Sequence, residues 1–242
     1  MNLNEIILRK TVPIVINSFN QPTYLRNIIN KLLINNFKNI IVLDNNSTNS
    51  DLISYYEYLK NEGKFVTVLY YNDNKGPRYF HMNNMHSIFG NIPHIYTDPD
   101  IDFDFIADDL VSSLLEISEK YHFFKVGSAI EIPKINETKA NLFLKAQHLD
   151  NKVFSIQEWE NQFWLNPIEE YIYDAPIDTT FHLFNPIYFT DPKHFISGIR
   201  VSKPGFKIKH LPWYLEDIIP ESELEFYRNS SMHSSYILKD NC

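Results

Sequence analysis

Asp98-Pro99-Asp100 sets two carboxylates two residues apart, after the apolar stretch Ile92 to Thr97 and before Ile101 and Phe103. On an extended segment such residues point to one side. The pair can hold a hard divalent cation, directly and through water. Mg²⁺ and Mn²⁺ take oxygen ligands and commonly add substrate phosphates. A lone Asp-x-Asp is also what a solvated acidic turn looks like, but its place after a buried strand favours the metal. His210, within Lys207-Ile-Lys-His-Leu-Pro-Trp-Tyr214, can add a nitrogen ligand, with Lys207 or Lys209 near the phosphates. The competing reading of a single histidine is structural.

Further candidates lie around this pair. Asp44 ends the apolar run Asn39 to Leu43, where a carboxylate can accept hydrogen bonds from a ribose hydroxyl or a base N–H; a helix-capping Asp in an Asn/Ser turn is the alternative. Asn74-Lys75-Gly76-Pro77-Arg78 suits a diphosphate or a sugar, because Arg offers bidentate donors and Gly permits close backbone approach; an ordinary solvated turn is the alternative. Asp178, ahead of Thr179-Thr180-Phe181, is the candidate general base, with a strand-capping role as the bland reading. Trp159, Trp164 and Tyr173 suit stacking on sugar rings and equally suit a core, and Trp164 and Thr179 are taken as the acceptor contacts. Other chemistries lack support. The chain has no G-x-S-x-G, P-loop, G-x-G-x-x-G or H-E-x-x-H. Its one cysteine, Cys242, is the last residue, and His81 and His86, five apart, do not share a helical face.

The elements that must position these residues read as alternating strands and helices. Val12 to Ile16 is a short continuous apolar run, as expected of a strand covered on both faces, Asn39 to Leu43 reads as a second buried strand, and Phe65 to Tyr71, Ile92 to Thr97 and Phe123 to Ile130 read as three more strands. Between them, Tyr24, Leu25, Ile28, Ile29, Leu32 and Leu33 recur at helical spacing, as do Leu52, Tyr55, Tyr56 and Leu59, and later Leu110, Val111, Leu114, Leu115 and Ile117. A short helical stretch is expected from Arg78 to about Ile88. Such alternation implies an α/β fold with right-handed crossovers and a mostly parallel central sheet flanked by helices. Ligands of such sheets bind at the carboxyl ends of the strands. Asn17-Ser18, Asp44-Asn45, Asn74-Lys75 and Asp98-Asp100 all fall there. The second half reads as a smaller, mixed part: a helix over Gln157 to Trp164, short strands over Thr179 to Phe184 and Gly198 to Val201, an extended stretch from Phe206 to Tyr214, and a helix over Pro220 to Tyr227. A donor-binding half (1–102) and an acceptor-binding half (103–242) are expected to share one continuous domain.

Composition bounds the choice. With 242 residues, 44% hydrophobic and 15% aromatic, the chain has the apolar content of a folded protein rather than a disordered one. Six Gly and thirteen Pro, without sustained heptads, exclude collagenous and coiled-coil classes. Lys plus Arg is 22 against 30 Asp plus Glu, a net charge of −8, which argues against general nucleic-acid binding. The run Val12 to Ile16 is far short of the ~20 residues a membrane helix needs, and Met1 to Lys10 lacks a signal peptide's order. The expectation is a cytoplasmic protein, with peripheral association at the inner face of a membrane left open because it needs no span.

The ordered set Ile14-Val-Ile-Asn-Ser-Phe-Asn20, Ile41-Val-Leu-Asp-Asn-Asn-Ser-Thr48, Asn74-Lys-Gly-Pro-Arg78, Tyr96-Thr-Asp-Pro-Asp-Ile101, Lys125-Val-Gly127, Ile177-Asp-Thr-Thr-Phe181 and His210-Leu-Pro-Trp-Tyr214 resembles the GT-A class of nucleotide-sugar glycosyltransferases, in particular small bacterial-type family-2-like enzymes. The pattern spans roughly residues 11 to 228. The resemblance implies the GT-A (Rossmann-like) fold, a nucleoside-diphosphate-sugar donor such as a UDP-sugar, Mn²⁺ or Mg²⁺, and a glycan or glycoconjugate acceptor. By the same resemblance Asp98 and Asp100 match the metal-binding D-x-D, and Asp44 the acidic residue on the nucleoside. Ser18 and Asn20 fall in the loop against the nucleotide, Arg78 faces the donor, and His210 matches a metal-ligating histidine. The Glu-Asp pair that supplies the base in many family-2 enzymes is not evident; Glu169-Glu170 and Glu216-Asp217 lack its context. Asp178 therefore stands as the base, and inverting transfer goes with it. The alternatives are a catalytically degenerate glycan- or nucleotide-binding module, and a sugar-1-phosphate nucleotidylyltransferase, which would need a glycine-rich basic N-terminal loop that Ser18 to Tyr24 does not provide.

Overall fold

The computed structural model describes residues 1–139, 142–146, 152–231 and 236–238; Cys242 lies outside them. The chain opens with α1 (Leu3–Thr11), then β1 (Ile14–Ser18), α2 (Pro22–Ile34), β2 (Ile40–Asp44), α3 (Ser50–Glu62), β3 (Val66–Tyr70), the short α4 (Tyr79–Met82) and β4 (His94–Thr97). After β5 (Ile101–Asp102) come α5 (Leu110–Tyr121), β6 (Lys125–Ser128), β7 (Leu142–Ala146), β8 (Lys152–Ser155) and α6 (Ile156–Asn161). The last part holds β9 (Pro167–Glu169), β10 (Ile172–Asp174), β11 (His182–Phe184), β12 (Ile199–Val201), β13 (Lys209–His210), α7 (Glu221–Ser230) and β14 (Tyr236–Leu238).

One nine-stranded sheet, in the order β3-β2-β1-β4-β11-β6-β12-β10-β9, is the frame. β1 pairs in parallel with β2 and β4, β2 with β3, and β6 with β12, while β11 and β10 reverse. With β10 antiparallel to both β12 and β9, seven of the nine strands run one way. β1 is buried along its whole length, which explains why it carries Ile-Val-Ile and no alternation. α2 starts on Pro22, whose missing N–H costs nothing in a first turn, and buries Tyr24, Leu25, Ile28, Ile29 and Leu32. α3 is capped by Asn49, whose side chain accepts from the Leu52 N–H. Gly127 lets β11 close on β6, because a Cβ there would lie 2.5 Å from the Phe181 carbonyl oxygen. Among the described residues no helix is long and apolar enough to cross a membrane.

The structure departs from the sequence expectations in two places and adds a helix, α1, that they do not include. α1 carries no apolar stripe on its inward face; it buries the ion pair Glu5–Arg9 instead, and Glu5 accepts from the N–H groups of Val111 and Ser112 at the start of α5. The helix expected from Arg78 to Ile88 is interrupted at Asn84, which takes φ 57°, so α4 is followed by a separate 3₁₀ turn. The stretch Phe206 to Tyr214 is strand only at Lys209–His210, and a 3₁₀ turn follows over Leu211–Trp213.

Candidate functional site

β4 ends at Thr97, and the chain leaves the sheet with Asp98 beside the end of β1 and the bend that leads to β11. The Asp98 N–H donates to the Thr179 carbonyl at 3.2 Å, and the Thr179 hydroxyl donates back to Asp98 Oδ2. Asn17, on β1, donates weakly to Asp98 Oδ1 at 3.5 Å. Its own Oδ1 accepts from Asn45 Nδ2 at 2.6 Å, and Asn45 Oδ1 accepts from the Lys75 N–H at 3.2 Å. Asn17 and Asn45 thus stitch the ends of β1 and β2 and the 74–78 loop to the Asp98 carboxylate. Both stood out as strand-end positions in the sequence, but only the structure shows them organising the site.

Asp100 is buried, 7% exposed. β13 pairs antiparallel with β5, setting His210 opposite Ile101, and His210 Nε2 lies 3.5 Å from Asp100 Oδ2. Burial pushes the His210 imidazole below its usual range, with Asp100 and Asp217 pulling the other way. Burial also pushes the Asp98 carboxyl well above its usual range, and the like charge of Asp100 adds to it, while the Thr179 hydrogen bond opposes. The triad of Asp98, Asp100 and His210 therefore combines crowded negative charge with an imidazole kept in its free-base form. Among the described residues no three His, Cys, Asp or Glu side chains converge closely enough to hold an ion by themselves.

Arg78 and Asp178 meet. The Arg78 guanidinium donates from Nε to Asp178 Oδ1 at 2.7 Å and from Nη2 to Oδ2, a bidentate pair whose side chains are 53% and 47% exposed. Tyr96, on β4, fixes the preceding loop by donating to the Pro77 carbonyl at 2.6 Å. Asn74 closes a tight turn by accepting from the Gly76 N–H.

Ser18, Asn20 and Asp44 lie at the neighbouring strand ends, engaged by their own loops. Asp44 accepts from the Ser47 N–H and hydroxyl and from the Tyr56 hydroxyl, and Tyr56 in turn meets Ser18 Oγ at 2.9 Å. Asn20, at φ 53°, accepts from the N–H groups of Thr48 and Asn49 and donates to Ser230 on α7. α7 lies across this loop: Glu223 accepts from the Thr23 N–H and hydroxyl, and Tyr227 packs edge-on against Phe19. Burial, helped by the charges of Asp100 and Asp98, pushes the Tyr227 hydroxyl up to about 12. The cover α7 makes over the site has no local signature in the sequence.

Two candidates stand apart. Lys209 alternates with His210 on β13, so its side chain takes the other face, where Nζ lies 2.7 Å from Asp104. Trp164 packs on Tyr173 of β10, ring centroids 5.2 Å apart. β10 is four strands from β4, about 19 Å at the usual strand spacing.

No protein-family profile matches the chain, and no curated protein sequence matches it. The solved structure of GalNAc-T7 with UDP, GalNAc and Mn²⁺ is similar at TM-score 0.54 and 14% identity, over 90% of this chain and 48% of that one. The fold is of the GT-A type. A mannosyltransferase from Pyrobaculum calidifontis, solved with GDP-Man and Mn²⁺, aligns at TM-score 0.49 and 10% identity over 83% of this chain and 57% of that one. The chain thus spans about half the length of these two structures. On this GT-A sheet Asp98, Asn17 and Asp44 occupy the carboxyl ends of β4, β1 and β2, the edge at which α/β sheets take ligands.

Proposed function

We propose that this chain is a metal-dependent glycosyltransferase that moves a sugar from a nucleoside diphosphate, UDP first among the candidates, to a hydroxyl of a glycan or glycoconjugate with inversion at the sugar carbon. The observation that carries the reading is the crowding of Asp98 and Asp100 beside His210 at the carboxyl end of β4 in a GT-A fold. By donor type two carboxylates and an imidazole suit Mn²⁺ or Mg²⁺, and because they do not close a site by themselves, phosphate oxygens of the donor would supply the remaining ligands. When bound, such an ion supplies Lewis-acid stabilisation to the departing diphosphate. The GalNAc-T7 structure, which contains UDP and Mn²⁺, supports the choice of both.

The chain's own residues divide the remaining work. Asp178 takes the proton of the acceptor hydroxyl, a role typically worth ~10²–10⁴-fold. For that, one of its oxygens must come free of Arg78. A donor phosphate offers Arg78 a competing bidentate partner, so donor binding would release the base while Arg78 turns to the diphosphate. Thr179 holds Asp98 in place through its hydroxyl, and Asn17, Asn45 and the 74–78 loop keep the strand ends in register.

The test is a thermal-shift screen of UDP-, GDP-, CMP- and dTDP-linked sugars with and without Mn²⁺. One donor should stabilise the protein only when Mn²⁺ is present, by about 2.7 kcal/mol at a hundredfold excess over Kd, and release its nucleotide on turnover. No shift with any sugar nucleotide, or pyrophosphate release from a nucleoside triphosphate and a sugar 1-phosphate, would overturn the reading.

A further inference from the structure

Lys125 lies on β6, beneath the bend that carries Asp178, and it is 0% exposed. An ammonium has three N–H donors. Here they go to three main-chain carbonyls: Ile177 at 3.0 Å, Asp178 at 3.4 Å, and Phe195. The Phe195 ring centroid lies 3.5 Å from Nζ, so the cation also faces a π-surface. Burying an ammonium without a carboxylate in contact is costly, and an apolar chain of the same length would fill the space without that cost. What the charge accomplishes is visible in the carbonyls it gathers. Those of Ile177 and Asp178 flank the residue that meets Arg78, and the next residue, Thr179, is the one bonded to Asp98.

We propose that Lys125 is a positioning residue: its buried ammonium ties the carbonyls of Ile177, Asp178 and Phe195 to β6 and so fixes the bend from which Asp178 faces Arg78 and Thr179 faces Asp98. The charged and titratable groups around it are Asp178 on the bend, Arg78 on the facing loop, His182 on β11 and His81 on α4. Burial pushes both imidazoles down, with the lysine's own charge adding to it, so they stay neutral beside it. Burial also lowers Lys125 itself to about 7, Asp178 opposing and Arg78 assisting. Above that pH the neutral amine keeps two donors for three carbonyls, and the bend loses one of its ties.

The kinetic arm of the test rests on the transferase reading; the spectroscopic arm does not. In the wild type, the backbone amide signals of Asp178, Thr179 and Ile196, each following one of the three carbonyls, should shift through one transition near pH 7. In Lys125→Met they should stay flat; Ile196, which follows the Phe195 carbonyl, is the decisive probe. If the methionine variant fails to fold, Lys125→Gln, with two donors and no charge, should show the same flat response. With UDP-glucose and Mn²⁺, UDP release by the methionine variant should fall about tenfold or more in kcat, since small misplacements of reacting groups cost up to ~10²-fold. KM should stay within about twofold; the wild type should lose kcat above pH 7 as Lys125 gives up its proton, and the variant should show no such decline. Ile196 titrating alike in wild type and variant, or a variant with wild-type kcat and pH profile, would overturn the assignment. A wild type that folds, titrates at Ile196 and turns over no sugar nucleotide would count against the transferase reading while supporting the role of Lys125.

Discussion

Asp44 and Asp98 close two strands that flank β1 in one sheet, Asp44 ending β2 and Asp98 following β4. Asp44 accepts three internal hydrogen bonds, from the Ser47 N–H at 3.0 Å, the Ser47 hydroxyl at 2.5 Å and the Tyr56 hydroxyl at 2.7 Å. Asp98 receives the Thr179 hydroxyl and one long contact from Asn17, and it faces the like charge of Asp100. Residue type and position on the sheet are nearly the same; what differs is what each carboxylate still lacks. The first is engaged by its own turn. The second is destabilised as an anion by its surroundings, which is the condition a bound cation relieves.

The largest expected effect separates the two directly. Asp98→Asn should abolish the Mn²⁺-dependent thermal shift with a sugar nucleotide and lower turnover by roughly 10²-fold or more, the scale on which removing one electrostatic stabiliser acts. Stability should move the other way. The folded-state pKa of Asp98 lies above the ordinary value near 3.9. Its contribution is therefore fully present below that value and is lost as pH rises through the folded pKa, so above the ordinary carboxylate range the group opposes folding. The asparagine variant should unfold at a higher urea midpoint than wild type at pH 7.5, and the gain should vanish by about pH 4. A lower midpoint at pH 7.5 would erase the contrast with Asp44.

Asp44→Asn is the opposite experiment and the next in size. It replaces one acceptor oxygen with a donor opposite groups that themselves donate, and Tyr56 loses a buried partner. The expected cost is about 1–3 kcal/mol in urea unfolding, with no gain at neutral pH and no selective loss of the metal-dependent shift. A variant as stable as wild type would mean that the turn finds other partners and that Asp44 is available to a nucleoside after all.

The same contrast explains what the sequence could reveal. β1, β2 and β4 are legible because strands covered on both faces leave apolar runs, β3 because its residues favour strand although it is an edge strand with most of its residues exposed, and α2 and α3 because one face of each is apolar at helical spacing. α1 is not, since its buried face is the Glu5–Arg9 pair. In the second half β11 and β12 fall within the short strands expected from Thr179 to Phe184 and Gly198 to Val201, whereas β9 and β10, three residues each, are too short for any period to register. Asp98, Asp100, His210, Arg78, Asp178 and Thr179 each stand out by type or place, yet which of them meet does not: Thr179 lies 81 residues from Asp98, and Asp178 lies 100 from Arg78. Arg78 and Asp178 read from the sequence as two separate groups, and the sheet makes them one pair. Lys125 did leave a signal, a lysine inside the apolar run Phe123 to Ile130. A buried strand that carries a cation must supply that cation with partners.

The smallest effect on stability tests whether that pair belongs with Asp44 or with Asp98. Arg78 and Asp178 are each about half exposed, 53% and 47%, and ion pairs in such settings contribute about 0–1 kcal/mol and are screened by salt. Arg78→Ala should therefore leave the urea midpoint nearly unchanged at low and at high salt. Its consequence should appear when donor is added. The Mn²⁺-dependent thermal shift should shrink without disappearing, because the carboxylates at β4 remain while one phosphate partner is gone. A pair that served only the scaffold would give the reverse pattern, a loss of midpoint with the donor shift intact. The geometry argues against that pattern: a bidentate bond open to solvent at a strand-end edge holds little of the fold together, and a phosphate can displace it.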